Sequence, residues 1–388
     1  MTKARDLANF LGDNTSLGTI NDAYDAGTLV PSSSNPNMVI NGAMQINQRG
    51  DQTGVTTVGY VLDRFLCDFV NVGTNSVTQD TDVPEGQGFA KSMKIACTAT
   101  QAIEASTRMQ ITHRLEGFDS VQTKFGTSDA ESLTLSFWIK ANRSQTFGVN
   151  FENELPVGGG VDQGYQTSQT YTTANTWQKM VITISGDTRT GKGFTWNSLK
   201  ALTFDICLSE AGSDAGGGTA SATWSDLTQN QKCTHNTEHF ADSTSNYFNI
   251  TGVKLELGSE ATDFQHTEYG DELAKCQRYY QQYGGGSAYH GFFVAGAYNG
   301  NTASGYFELS ERMRAAPTGS ATGIFEGGNG VAQTATLTNF NAYSEHDGSC
   351  KLVNIRVSGD GSNYSLGGFL RVRSQNDITA RIKFDAEL

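Results

Sequence analysis

The 388-residue chain has only 5 prolines, 27 basic side chains against 40 acidic ones, and 6 cysteines that fall into no metal-knuckle or redox spacing. Each scarcity excludes something. A net charge of −13 opposes the phosphate neutralisation on which nucleic-acid binding depends, so no nucleic-acid partner is expected. Apolar runs stay short of the ~18 residues that cross a bilayer. The opening Met1–Leu7 has no apolar signal core, so neither membrane insertion nor secretion is expected. Cys67, Cys97, Cys207, Cys233, Cys276 and Cys350 read as free thiols, which points to assembly in a reducing cytoplasm.

Catalytic signatures are missing or broken as well. Neither a G-x-S-x-G elbow nor an H-E-x-x-H helix occurs. His235-Asn236-Thr237-Glu238-His239 has the spacing of an inverted zinc motif, but its surroundings are polar and turn-like, with no apolar stripe to hold a ligand-bearing helix. Gly186–Gly193 approaches a P-loop, yet Gly193 stands where a hydroxyl must reach Mg²⁺. No metal, cofactor or catalytic residue is expected, and the chain reads as a binding or structural protein. A pair of glycosidase carboxylates needs no sequence motif, so a polysaccharide depolymerase stays as an alternative.

What the sequence has is glycine, 44 residues of it, and period-2 alternation. Leu133, Leu135, Phe137 and Ile139 share one face of a strand, with Thr134, Ser136, Trp138 and Lys140 opposite. The pattern returns at Met180–Ile184, Leu202–Leu208 and Val253–Leu257, and again near Val353–Val357 and Ile378–Phe384. One-faced strands joined by Gly/Asn/Ser turns imply an all-β protein: a jelly-roll sandwich over residues 37–265 and a smaller sandwich over 285–388. Between them, Leu273, Cys276, Tyr280 and Tyr283 fall at helical spacing before Gly284-Gly285-Gly286, which predicts a linker helix within 266–284. That stripe suits domain packing or a contact around a three-fold axis. Arg5, Leu7, Phe10 and Leu11 mark a short helix in a separate segment, 1–36, that ends in the turn-rich Pro31–Pro36. The acidic excess is confined to the first part: residues 285–388 hold 8 basic and 9 acidic side chains, which leaves 19 against 31 before them.

Several segments resemble bacteriophage tail-fibre and related receptor-binding virion proteins that contain a carbohydrate-binding-like jelly roll. These are Asn37–Gly50, which looks like the first strand of that family, then Tyr60–Phe65, Leu133–Ala141, Thr176–Met180 and, most specifically, Ile250-Thr251-Gly252-Val253-Lys254-Leu255-Glu256-Leu257 running on to Ala261-Thr262-Asp263-Phe264 and Glu268–Tyr280. The resemblance implies a homotrimer in the virion tail. It would dock on a tail adaptor or other virion protein through the amino-terminal segment and meet host surface polysaccharide with its carboxy-terminal tip. A purely structural virion component is the alternative. In that tip, Tyr289, His290, Tyr298, Asn299, Asn301, Tyr343, His346, Asp347, Asn363 and Tyr364 fall in or near predicted loops. There aromatic rings could stack on sugar C–H faces while amides and acids bond hydroxyls. Ala43 and Thr251 stand where related jelly rolls carry acids for calcium, so no calcium site is expected.

Overall fold

A strand that alternates apolar and polar residues buries one face, and two such sheets close on each other around the apolar side. The computed structural model describes residues 35–154, 162–210, 222–227, 238–328, 333–359 and 367–388. The expected attachment helix with Arg5, Leu7, Phe10 and Leu11 lies outside the described residues, as do Asn363 and Tyr364. The first unit contains β1 (Gln52–Val55), β2 (Gly59–Leu62), β3 (Phe65–Val70), β4 (Thr74–Asp80), β5 (Ser92–Ala99), β6 (Arg108–Glu116), β7 (Leu133–Ala141), β8 (Gln145–Asn153), β9 (Gln163–Tyr171), β10 (Gln178–Ile184), β11 (Lys200–Glu210), β12 (Ser225–Asp226) and β13 (Tyr247–Leu257). They form two sheets, in the orders β1-β4-β5-β13-β7-β10 and β12-β9-β8-β11-β6-β3-β2. Neighbours far apart in sequence, such as β5 and β13 or β3 and β6, mark the long returns of a jelly roll.

Register carries the alternation into the core. Leu135 lies between Ile182 of β10 and Leu255 of β13, and Ile139 lies opposite Ile250. Phe147, Val149 and Phe151 of β8 and Phe204 and Ile206 of β11 close the core from the other sheet, all fully buried. The expected first strand is a correction. Asn37–Gly50 runs as turns and irregular backbone, because Asn41 and Met44 adopt positive φ of 62° and 56°, which interrupts any ladder. The segment still buries Met38, Val39, Met44 and Ile46 and is tied to β13 by the Met38 amide on the Leu255 carbonyl, 2.9 Å.

The second unit contains β14 (Tyr280–Gly284), β15 (Gly291–Asn299), β16 (Thr302–Met313), β17 (Thr318–Thr322), β18 (Phe325–Gly328), β19 (Gln333–Ser344), β20 (Cys350–Gly359), β21 (Phe369–Ser374) and β22 (Arg381–Asp385). The all-β class is as expected. The closure differs from an open sandwich: β15-β16-β20-β19-β18-β21 form a closed barrel, beside a three-stranded sheet β14-β22-β17. Ala295, Ala297, Ala303, Leu337, Val353, Ile355, Val357 and Val372 fill the barrel together with the larger Phe307, Phe325 and Leu370, so its interior is a packed core.

The linker helix also stops sooner than its stripe predicts. It spans Tyr269–Gln277, and Tyr280 and Tyr283 sit instead in β14, where the ladder with β22 pairs them with Asp385 and Ile382. Cys276 and Tyr280, expected at a trimer contact, are buried within their own chain. Tyr283 is half-buried against Phe307 and Phe384, and Leu273 is half-buried on the helix. Tertiary pairing with a strand a hundred residues downstream overrides the local periodicity.

The two units meet across buried charge. Arg64, 1 % exposed, stacks on the Tyr279 ring at 3.5 Å and pairs with Glu387. Arg49 lies 3.7 Å over the Tyr280 ring and pairs with Asp385 at 3.2 Å and Glu387 at 3.3 Å. Arg278 binds Glu116 with two nitrogens, at 3.1 and 2.8 Å, and Arg314 donates to the carbonyls of Ser198 and Ala386 at 2.6 and 2.8 Å. Removing one member of such a network leaves a buried charge unpaired, at a cost of about 3–5 kcal/mol.

The cysteines need one correction. Cys67, Cys97, Cys276 and Cys350 are free and buried, but Cys207 is disulfide-bonded, so thiol state gives no ground for a reducing compartment.

Candidate functional site

The outward residues of β7, β10 and β13 would ordinarily face solvent. On β13 they do not. Lys254 and Glu256 are both 0 % exposed and pair at 3.0 Å, because the chain after β13 folds back over them. The Thr262 amide and hydroxyl donate to the two Glu256 carboxylate oxygens at 2.8 and 2.6 Å, and the Lys254 ammonium donates to the Asp263 carbonyl at 3.0 Å. The buried ion pair thus pins a strap, residues 261–266, across the face of the sheet. A second wall comes from the loop after β4. Asp82 accepts from the Trp177 indole at 2.9 Å and the Lys140 ammonium at 2.7 Å, and its carbonyl accepts from the Ser92 hydroxyl at 2.7 Å. That hydrogen bond from Lys140 to Asp82 holds the Lys140 pKa above its ordinary value.

Between strap and loop lies a cleft of about 370 Å³ with Trp138 and Ser136 of β7 in its floor, Lys179 of β10 at its side, and Gln87, Phe89, Asp263, Phe264 and His266 in its walls. Phe89, Phe264 and His266 form a ring triangle with centroids 5.0 to 5.1 Å apart. Gly252, at φ +63°, makes room for it: a Cβ there would lie 2.5 Å from the Phe89 ring. The volume and the mix of aromatic faces with an ammonium, a carboxylate, an amide and an imidazole suit a small polar ligand with apolar faces. Among the described residues that line the cleft, Asp263 is the one carboxylate.

The residues expected at a glycan site are spread over the second unit instead of meeting. Asn299 pairs with Thr302 at one end of the barrel, where the Gly359 amide donates to the Asn301 carbonyl, and Tyr298 precedes Asn299. His290 donates its amide to Ser374 at the opposite end, with Tyr289 beside Arg373 at 4.8 Å. His346 and Asp347 lie in the β19–β20 turn near Arg312, which pairs with Glu345. Tyr343 is on the outer wall, 51 % exposed. The aromatic and polar count along the sequence was real, but the barrel distributes it over two ends and a wall. What that reading missed, the Trp138 cleft, had one signal: a tryptophan on the polar face of an alternating strand.

The zinc-like stretch places His235 outside the described residues, while His239 points its ring nitrogens at the Gln101 carbonyl, 2.8 Å, and the Ser209 hydroxyl, 3.3 Å. Among the described residues no three His, Cys, Asp or Glu side chains are grouped to hold a metal ion, and no helix is long and apolar enough to cross a membrane.

No protein-family model matches the chain, and no curated protein matches its sequence. Solved structures do show likenesses. The enzymatically active domain of tailspike protein 4 from bacteriophage CBA120 matches over 57 % of this chain and 21 % of its own, at 13 % identity and a TM-score of 0.29. A protein from Bacteroides thetaiotaomicron described as sugar-binding matches over 57 % of this chain and 100 % of its own, at 10 % identity and a TM-score of 0.30. The CBM22-1 xylan-binding domain from Paenibacillus barcinonensis matches over 59 % of this chain and 98 % of its own, at 11 % identity and a TM-score of 0.28. At that level of identity and overlap the likenesses carry no inference about what this chain binds.

Proposed function

We propose that the chain is a non-catalytic saccharide-binding protein whose jelly roll receives a sugar in the Trp138 cleft. The observation that carries this reading is the cleft itself: an indole and a three-ring wall, held rigid by a buried ion pair and by Asp82, with Lys179, Asp263, Gln87 and His266 placed to bond hydroxyls. Hydrolysis of a glycosidic bond uses two carboxylates, and a lining with one carboxylate among the described residues favours binding over cleavage.

Within that reading the protein serves as a phage tail-fibre subunit, a homotrimer of the virion tail. It docks through its amino-terminal segment on a tail adaptor and binds lipopolysaccharide or capsule of the host. The support is the sequence resemblance, whose most specific stretch, Ile250–Phe264, is the strand and strap that build the cleft. Titration of the full chain with host lipopolysaccharide and capsular polysaccharide, followed by tryptophan fluorescence, tests it. Trp138→Ala is expected to weaken binding at least tenfold, about 1.4 kcal/mol, and Lys179→Ala by less. Binding that survives Trp138→Ala unchanged removes the cleft as the site.

A further inference from the structure

The outer wall of the barrel carries two large aromatic side chains that each stay about half exposed: Tyr306 at 59 % and Tyr343 at 51 %. They come from β16 and β19, on either side of β20, and their rings approach to 5.9 Å at a 45° tilt. Ladder register sets what lies around them. Tyr306 is opposite Asn354, which is opposite Asn341; Ser304 is opposite Arg356, which is opposite Thr338; Glu308 is opposite Leu352, which is opposite Tyr343. Ser304 donates its hydroxyl to the Asn354 amide oxygen at 2.9 Å, and the Asn354 amide nitrogen donates to the Gly305 carbonyl at 3.2 Å, so the row beside Tyr306 is fixed in orientation.

We propose that this wall is a second saccharide-binding surface, independent of the Trp138 cleft, on which a pyranose chain lies flat across Tyr306 and Tyr343. The choice of occupant follows from the interleaving of groups. An apolar protein face laid here would strip water from Arg356, Glu308 and the amides in the same three rows without replacing their partners. A sugar offers C–H faces to the rings and hydroxyls to those polar groups together. β20 is paired on both sides, so the backbone of the two strands that carry the rings is set before any ligand arrives, which spares part of the ordering cost.

The test uses the full chain on a printed array of bacterial O-antigen and capsular polysaccharides. Three proteins are compared: the natural sequence, Tyr306→Ala with Tyr343→Ala, and Trp138→Ala. The double tyrosine variant is expected to lose at least tenfold in signal on part of the bound set while Trp138→Ala retains that part, and the Tyr306→Phe, Tyr343→Phe pair is expected to keep it. Both rings are exposed, so an unchanged thermal midpoint shows that the fold is intact. An array pattern unaltered by the double tyrosine change overturns this proposal and leaves the cleft standing. Loss of self-association in the double variant, seen by sedimentation without any change on the array, assigns the rings to a contact between copies and also overturns it. A natural protein that labels no spot removes both surfaces together.

Discussion

The two β units treat their outward residues in opposite ways. In the sandwich, Lys254 and Glu256 point away from the core and are nonetheless fully buried, because the strap at Thr262 and Asp263 covers them. In the barrel, Tyr306 and Tyr343 point away from the core and stay in solvent. Strand alternation therefore decides which side chains leave the core, but a connection decides which of them reach water. The sandwich gains a recessed site from its strap and loop. A barrel packed with side chains from alanine to phenylalanine has no lumen to offer, and its wall is what remains for contact.

The joint between the units gives the largest way to break that comparison. Glu387→Ala leaves Arg64 buried without its carboxylate and is expected to cost about 3–5 kcal/mol, read by urea denaturation. If the units depend on the joint, the natural protein is expected to unfold in one transition and the variant in two, sandwich and barrel at separate midpoints. A single transition with an unchanged midpoint would refute the role given to Arg64.

Next is the strap. Lys254→Met strands the Glu256 carboxylate and is expected to cost about 3 kcal/mol, whereas Lys254→Met with Glu256→Leu together is expected to be near neutral, since a buried pair replaced by apolar groups of like volume often is. The double change also removes the acceptors of the Thr262 amide and hydroxyl, and it should weaken sugar binding in the cleft while leaving the Tyr306 wall untouched. A smaller effect is expected for Gly252→Ala, where a positive φ and the nearby Phe89 ring make a Cβ costly, about 1–2 kcal/mol by thermal unfolding. The corresponding change at Gly296 on the barrel, with no atom closer than 4.0 Å to a Cβ there, should be nearly silent.

The smallest expected effect concerns acid. Burial pushes the Glu154 carboxyl up, but hydrogen bonds from Lys200 and the Thr203 hydroxyl more than offset it and hold its pKa below the ordinary value. A carboxyl lowered on folding adds stability that is complete above its unfolded pKa and is lost as pH falls through the lowered folded value. Glu154→Gln is therefore expected to reduce neutral-pH stability by about 1 kcal/mol and to flatten the acid limb of a stability-against-pH curve for the sandwich. An acid limb of unchanged slope would contradict this.

Much of the sandwich is legible in the sequence because its strands alternate strictly: Leu133 to Ile139 and Met180 to Ile184 pair in the register their pattern demands. The Lys254-x-Glu256 and Thr262-Asp263 combination is also written there, as charged residues on a strand followed closely by a hydroxyl and an acid. It does not reveal that the strand's charges are buried, since that depends on the chain turning back at Gly258. The early end of the helix was hidden for a different reason. Tyr280 and Tyr283 keep helical spacing, and the partner that draws them into a strand is Arg381–Asp385. The cleft escaped notice because its walls, Gln87–Phe89 and Asp263–His266, are far apart along the chain.

β22 carries a mechanical consequence. The chain leaves the sandwich through the helix into β14, and β22, paired to β14 along its length, returns directly to the sandwich at Ala386–Leu388, where Tyr60 and Arg114 donate to the Leu388 carbonyl. The barrel is thus moored through two neighbouring strands of one small sheet, β14 at its edge and β22 at its centre. A pull between the units loads the two strands side by side from the same end, where Tyr280 lies opposite Asp385, so that tension is shared and swivelling about a single strand is opposed. Such a fastening couples the orientation of one unit to that of the other.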